Sequence, residues 1–349
     1  MTTEAEKQNE EQRKLQVTGG STFILSLPKE WAIRNELKRG SSMVVREEDD
    51  GSLSVAPSKF VKKERQDEAF IKASASDNPD GIMRTAISAY LVGYNILHIK
   101  APAQKVLSSK IRNHLKNFAR HYLVGTEIVI DTPTDLTLQV LLNYPELTVQ
   151  NALSRMSIIA SSMHKEALSA LKKLDYSASK SVIETDREVN RFGLYIVRLL
   201  KLAVSNPRVV KEIGLNTQRD CLGYRLIAKS VERTADHATK MAENTLCLKE
   251  QVNEAFSEKL SELSALAISM FENAMDALFR RDFNLAETVI EKLGQVHKLE
   301  KEAVLSMQSI KIEDAIYLRL VIESVRRTAE YASDISEVVL NLNVESVLG

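Results

Sequence analysis

The chain has 349 residues, of which 44% are hydrophobic and 27% charged, with 47 basic residues against 47 acidic ones. Two or three domains fit that length, and the composition is that of a soluble globular chain, not a disordered or fibrous one. A formal net charge of zero excludes a general polyanion binder, so any attraction to nucleic acid must come from a local patch, while 5% aromatics favour helices over sheet sandwiches.

Residues 1–11 are polar and acidic and read as a disordered tail with no apolar signal core. Residues 12–57 alternate apolar and polar positions. Leu15 and Val17, then Phe23 and Leu25, predict two short strands around Gly19-Gly20. PKEWAIRNEL follows as a helix with Pro28 suited to its first turn and Gly40 beyond its end. Met43–Arg46 and Leu53–Val55 predict a second hairpin across Asp50-Gly51. Residues 58–66 are a charged linker.

Residues 67–148 alternate strand and helix. AFIKAS, ILHIK and TEIVIDT read as strands, with helices near 80–92 and 103–121 and a fourth strand over Thr137–Leu142, which together predict a small α/β module. From residue 149 the helical period continues to the end. Breaks near Tyr176-Ser177, Ser205-Asn206-Pro207, Gly214, Lys249-Glu250, Asp282 and Ser309-Ile310 divide it into six helices. No apolar run of about 18 residues is present, so a cytoplasmic chain without a membrane span is expected. Cys221 and Cys247 lie about 39 Å apart if one helix holds both, too far to pair, and reduced thiols suit that compartment.

The helical half is duplicated. Ser162–Leu171 (SMHKEALSAL) aligns with Ser269–Leu278 (SMFENAMDAL), 107 residues later, and Asp175 then falls on Asp282 without a gap. Ser230–Glu243 (SVERTADHATKMAE) aligns with Ser324–Glu337 (SVRRTAEYASDISE), 94 residues later. The difference sits in the connection SNPRVVKEIGLNTQ, where an insertion is tolerated. Three collinear blocks predict two copies of a three-helix unit, residues 149–248 and 249–349, with Leu168, Leu171, Ile196, Leu199 and Leu200 facing the core of the first.

On these residues the helical half resembles the PhoU family, whose hallmark is a tandem three-helix bundle with an ERxxD-like and then an NIAE-like stretch on its third helix. Here those are Glu232-Arg233-Thr234-Ala235-Asp236 and Lys240-Met241-Ala242-Glu243, and Asp186–Phe192 (DREVNRF) resembles the second-helix stretch. Val17–Ala32 (VTGGSTFILSLPKEWA), with ELKRGSSMVV and DDGSLSVAP after it, resembles the SpoVT/AbrB-type swapped-hairpin DNA-binding domain. The fold expected is therefore mainly α: tandem three-helix bundles preceded by a small α/β module and a swapped-hairpin β domain. This head-and-body arrangement resembles archaeal phosphate-uptake regulators. It implies a homodimer made through the N-terminal domain, with DNA, and a phosphate transporter or sensor kinase, as partners.

Glu232 and Asp236 stand four apart on one helix face, where two carboxylates offer oxygen ligands to a hard cation. The resemblance implies a divalent or iron ion on these acidic helices. The sequence departs from the family at Gly193 and Val197, where acids are expected, and at Arg326, which replaces Glu232 in copy two. Copy two is expected to carry an Arg326–Glu300 ion pair in place of a metal, and solvated faces or ion pairs are the plainer reading of copy one. His237, exchanged for Tyr331 in copy two, reads as packing at a polar boundary.

Between residues 12 and 46 of the N-terminal domain Arg13, Lys14, Lys29, Arg34, Lys38, Arg39 and Arg46, against Glu30 and Glu36 only, form a local cationic excess. The first six are the residues suited to DNA phosphates, with a solvated surface on a dimerisation module as the plainer reading. Lys105, Arg112, Lys116 and Arg120 line one side of the helix near 103–121, which suits an acidic partner, an anionic surface or plain solvation. No P-loop, dinucleotide fingerprint, nucleophile elbow or HExxH occurs, so a non-enzymatic regulator is expected. The leading reading is a DNA-binding transcriptional regulator of phosphate uptake. The alternative is a modulator docking on a phosphate transporter or sensor kinase, with the N-terminal domain used only for dimerisation.

Overall fold

The computed structural model describes residues 11–47, 51–58, 68–103, 105–142, 146–308 and 310–348. The expected tail over 1–11 except Glu11, most of the linker and Asp50 of the second hairpin lie outside them. The chain divides into two compact units, Met1–Arg65 and Gln66–Gly349.

In the first unit, strands β1 (Gln16–Thr18) and β2 (Thr22–Ile24) pair antiparallel across Gly19-Gly20, both at positive φ. Helix α1 (Lys29–Arg34) follows, and β3 (Met43–Glu47) pairs with β4 (Leu53–Pro57). The two hairpins form separate two-stranded sheets. Among the described residues their apolar side chains find no core: Val17, Phe23, Leu25, Ile33, Val45 and Leu53 are all exposed. Isolated hairpins of this length are marginal in water, so the exposed apolar rows of this unit need a surface from elsewhere.

The second unit begins with β5 (Glu68–Lys72), α2 (Pro79–Val92), β6 (Ile96–Lys100), α3 (Ser109–Tyr122), β7 (Thr126–Asp131) and β8 (Asp135–Val140). Its sheet runs β5-β6-β8-β7, with β5 parallel to β6 and the rest antiparallel. Ile71, Leu97, Ile99, Leu136 and Leu138 pack beneath Ile111, Leu115 and Tyr90 of the two helices. The strand expected over Thr137–Leu142 starts two residues earlier. Helix α3 starts later than expected, where Ser108 accepts from Ile111 N, so Lys105 falls ahead of it. Arg112 and Lys116 each hold the Asp131 carboxylate at 2.8 Å, and the Lys116 hydrogen bond heads the causes that lower the Asp131 pKa. Two members of the expected basic stripe are thereby used inside the module, and Arg120 stays exposed.

The helical half holds α4 (Val149–Lys173), α5 (Tyr176–Ser205), the short α6 (Pro207–Glu212), α7 (Asp220–Thr245), α8 (Glu254–Arg280), α9 (Phe283–Glu291), α10 (Leu293–Leu305) and α11 (Ile312–Asn343). The duplication extends to backbone detail. Helices α4 and α8 both end on a left-handed non-glycine, Leu174 and Arg281, followed by the N-cap aspartates Asp175 and Asp282. Copy two differs in its second rod, which breaks at Lys292 beside Gly294, a weak helix former. The 13-residue insertion of copy one forms α6 and its flanks. Cys221 is buried on α7, while Cys247 lies exposed just past that helix, and both are free.

Repeat-equivalent residues meet each other. Lys165 reaches Glu272 at 2.6 Å, and the His237 and Tyr331 rings lie 5.7 Å apart between α7 and α11. Contacts between equivalent positions arise when two copies face each other across an approximate two-fold axis. The expected core residues Leu171, Ile196, Leu199 and Leu200 are buried in one continuous core, with Leu168 packed against it.

His164 of α4 is fully buried at this junction, with Nε2 2.8 Å from Ser264 Oγ of α8 and Nδ1 3.3 Å from Thr328 Oγ1 of α11. Burial pushes its pKa down to about 4. An unfolded imidazole titrates near 6.5, so between those values the unfolded chain takes up a proton that the folded one refuses. Stability is full above pH 6.5 and falls as pH drops toward 4, by about 2 kcal/mol at pH 5 from this residue. Urea unfolding of wild type and His164→Gln across pH 5–8 checks it. A difference between the two that does not change with pH overturns the assignment.

Candidate functional site

Two regions carry the expected functional residues, one in each unit. In the first unit Arg13 and Lys14 precede β1, Lys29 and Arg34 lie on α1, and Lys38 and Arg39 occupy the turn before β3. All six are exposed, whereas Arg46, on β3, is half-buried. Arg13 pairs with Glu11, and the Lys38 backbone N–H donates to Ser41 Oγ at 2.8 Å, which shapes that turn. The unit thus combines exposed cations with exposed apolar rows.

In the second unit Glu232 and Asp236 lie one turn apart on α7, facing α5. The structure adds a third carboxylate that sequence reasoning quoted only as part of a family stretch. Asp186 of α5 accepts from Asn190 Nδ2 at 2.6 Å through Oδ2, and its buried Oδ1 has no hydrogen-bond partner. Burial, then Asp236, then Glu232 raise the Asp186 pKa to about 6. Burial and then Glu232 raise that of Asp236 as well. Lys229 holds Glu232 at 2.7 Å. Gly193 stands opposite: a Cβ built there would lie 3.9 Å from Glu232 Oε2, so an acid at this position would extend toward the same cluster.

Copy two closes the corresponding place differently. Leu293 replaces Asp186, Glu300 replaces Gly193 and Arg326 replaces Glu232. Arg326 Nε lies 3.4 Å from Glu300 Oε1, and its Nη1 donates to Glu330. Arg319 adds a contact to Glu300 at 3.2 Å, and Arg327 reaches Glu330 at 2.9 Å. The expected Arg326–Glu300 pair is present, and a guanidinium occupies the centre of the cluster.

Hard cations need several converging oxygens. Among the described residues no three acidic, thiol or imidazole side chains stand close enough to hold an ion. Copy one lacks the donor at Gly193 and gives part of Glu232 to Lys229, and copy two is neutralised internally. The residues present do not complete a metal shell in either copy.

Crowded, half-buried carboxylates have a measurable consequence. The folded pKa of Asp186 lies above its unfolded value of 3.8, so its stabilising protonation is complete below 3.8 and lost as pH rises through about 6. Asp186→Asn should therefore stabilise the protein at pH 7.5 by ~1 kcal/mol, after allowance for solvent screening, and by nothing at pH 4. Thermal unfolding at both values tests this. Destabilisation at pH 7.5 that appears only when divalent cations are present would show instead that the three carboxylates share an ion.

His237 is buried against Tyr331, with Nε2 3.4 Å from the Tyr331 hydroxyl, while Arg233 lies 5.8 Å from the Tyr331 ring centre. Burial, then Lys240, Arg327 and Arg326, lower its pKa to about 4. This is the packing role expected of it, placed at the junction of the copies.

Sequence reasoning missed Arg198. It is fully buried on α5 and donates to the carbonyls of Tyr90, Gly93 and Tyr94 and to Asn95 Oδ1, the last three at 3.2, 2.9 and 2.7 Å, with its guanidinium 4.8 Å from the Tyr90 ring centre. The residue thus caps the C-terminal end of α2 and ties the α/β module to copy one. The available signal was the repeat itself, which sets Leu305 against Arg198.

Comparison with known proteins follows these divisions. Residues 153–245 and 260–339 match the PhoU domain family, and residues 16–63 match the family of the antidote-toxin recognition protein MazE, a bacterial antitoxin. Both matches lie outside the α/β module. Over 192 residues the chain is 23% identical to a phosphate-specific transport system accessory protein PhoU homolog of Borreliella burgdorferi, which spans 51% of this chain and 84% of that protein. The crystal structure of PhoU from Pseudomonas aeruginosa superposes with a TM-score of 0.50 at 21% identity, covering 57% of this chain and 96% of that one. That of the phosphate transport system regulatory protein PhoU from Streptococcus pneumoniae gives 0.49 at 19% identity, covering 58% and 96%.

Proposed function

The chain carries a tandem PhoU domain behind a MazE/AbrB-like N-terminal domain, and from that premise we propose that it is a DNA-binding transcriptional regulator of phosphate uptake. The observation that carries this reading is the N-terminal unit, where six exposed cations accompany apolar rows that have no core among the described residues. A second copy of the same unit supplies the missing apolar surface and brings two sets of cations together, as recognition of a two-fold DNA site requires. The helical body is the part that senses phosphate status or docks on a partner. No step of this reading is catalytic. Among the described residues no helix is long and apolar enough to cross a membrane. A DNA-binding role would put the protein in the cytoplasm with its DNA.

The test is DNA binding by the full-length protein on fragments upstream of the phosphate-transport genes of its source organism, across a salt series. Each phosphate contact contributes about 0.9 to the slope of log K against log salt. Removing two cations with Arg13→Ala and Lys14→Ala should flatten the slope by about 2 for each protomer engaged. Absence of specific binding at both high and low phosphate would instead favour the second reading, a modulator of a phosphate transporter or sensor kinase. The coreless N-terminal unit favours that reading too, since dimerisation alone would satisfy its apolar rows.

A further inference from the structure

The α/β module walls a groove on copy one. Val92, at the end of α2, forms one wall, Val197, Leu200 and Val204 of α5 the floor, and Leu222 of α7 the other wall, enclosing about 340 Å³. Lys201 and Arg225 stand at its rim, and no carboxylate lines it. The walls are held in place. Arg198 clamps the carbonyls at the end of α2 onto α5, and Gly93, at φ +112°, lies so close to Leu202 that a Cβ there would clash with it. The groove is therefore part of the fold and needs no rearrangement to form.

Its apolar surface is open to solvent. Val92 and Val204 are each 58% exposed and Leu222 71%, and Leu226, one turn further along α7, is 60% exposed. Convergence of four large apolar side chains from three elements marks an interaction site and not scattered surface residues. The floor from Val197 to Val204 runs roughly 10 Å along α5, and Leu226 continues the apolar surface beyond the enclosed volume. That is longer than a small molecule requires and matches about two turns of a partner helix. Repeat symmetry places Ile316 and Leu320 of α11 at the positions of Leu222 and Leu226, also exposed. The module packs on α5, and among the described residues it is copy one that gains from it the facing wall that turns an apolar strip into a groove.

From this geometry we infer that the groove between α2, α5 and α7 docks an amphipathic helix of a partner protein whose apolar face is flanked by carboxylates. Its apolar residues at i, i+3 or i+4 and i+7 fill the floor, and its acids meet Lys201 and Arg225. A rim with cations and no carboxylate disfavours a basic helix by like-charge repulsion. This deepens the docking role proposed for the helical body and is independent of DNA binding by the N-terminal unit.

A display library of amphipathic helices with randomised flanking charges, selected on the full-length protein, tests the inference. Both Leu222 and Arg225 are exposed, so their substitution leaves the fold intact, which thermal melting verifies. The surviving sequences should carry the apolar repeat with Asp or Glu beside it. A synthesised survivor should lose at least tenfold in affinity for Leu222→Asp and for Arg225→Glu, and a lysine-flanked version should bind Arg225→Glu better than wild type. Survivors with basic flanks, or without the apolar repeat, overturn the inference. Survivors that ignore both substitutions remove this groove but leave the docking role standing, whereas a library with no survivors counts against both. Sedimentation with anionic phosphatidylglycerol vesicles that depends on Leu222 would assign the surface to a membrane and likewise overturn the helix.

Discussion

Phe23→Asp is expected to split the native particle into single chains and to abolish DNA binding, while the helical body keeps its secondary structure. Phe23 is 67% exposed on β2, beside exposed Val17 and Leu25, in a unit where Pro57 alone is buried among the described residues. Burying a phenylalanine side chain stabilises by about 1.5–3 kcal/mol. An aspartate in its place loses that gain and must also be desolvated or left at a gap in the interface. Two such sites per dimer bring the loss to about 6 kcal/mol, or about 10⁴-fold in the dimer dissociation constant. Sedimentation equilibrium over a concentration series measures it. The body should not respond, because Met1–Arg65 and Gln66–Gly349 are distinct compact units. A Phe23→Asp protein that keeps the wild-type mass would show that the exposed rows of the N-terminal unit are not the dimer surface. Loss of dimerisation with DNA binding retained would separate the two functions assigned to that unit.

The second large effect is expected at Arg198, where Arg198→Met should destabilise the protein by about 3 kcal/mol in urea unfolding. Two effects compete. Removing a buried charge relieves its desolvation, and well-packed apolar replacements of buried ions are often neutral. Against this, four hydrogen bonds are lost and the carbonyls of Tyr90, Gly93 and Tyr94 lose a charged donor in a place closed to water. Each buried group left unsatisfied costs about 1–3 kcal/mol, so the loss outweighs the relief. Methionine keeps most of the volume, which confines the effect to the polar contacts. Amide exchange should quicken over residues 89–95 more than in α8 or α11, since the junction opens before the bundle does. A change below about 1 kcal/mol, or exchange that quickens uniformly, would mean that apolar contacts of α2 and α3 hold the module on α5 without help from Arg198.

These two sites show where sequence reasoning reached and where it stopped. The N-terminal hairpins were legible from Gly19-Gly20 and the apolar alternation, and the observed β1–β2 and β3–β4 pairs lie where the pattern put them. Exposure of Phe23 and Val17 was not legible, because alternation marks a buried face without saying which chain covers it. At Arg198, the positions around it were recognised as core, and Ile196, Leu199 and Leu200 are buried. A charged residue in that row reads as a helix edge until its partners, about a hundred residues earlier, are in view. The acidic cluster was half legible. Spacing places Glu232 and Asp236 together, and the family resemblance marks Gly193 as a missing acid, which the structure sets opposite Glu232. That Asp186 would share their field required the packing of α5 on α7, whereas Lys229 reaches Glu232 from three residues earlier on the same helix. Arg112 and Lys116 make the same point, since their partner Asp131 belongs to another strand of the module.

By itself, the sequence determined the order of the strands and main helices, the helix breaks near Tyr176-Ser177, Lys249-Glu250 and Asp282, the duplication, and the exchange of a carboxylate for Arg326 in copy two. These depend on interactions within one or two turns of the chain, where residue type and spacing suffice. Only the tertiary structure decided which buried polar groups meet, that His237 faces its own repeat partner Tyr331, that Arg198 joins the module to copy one, and that this junction leaves a walled groove beside α7. Those outcomes turn on distances between residues far apart in the chain. Desolvation penalises every unmatched polar group there, and the favourable match is set by how whole helices pack.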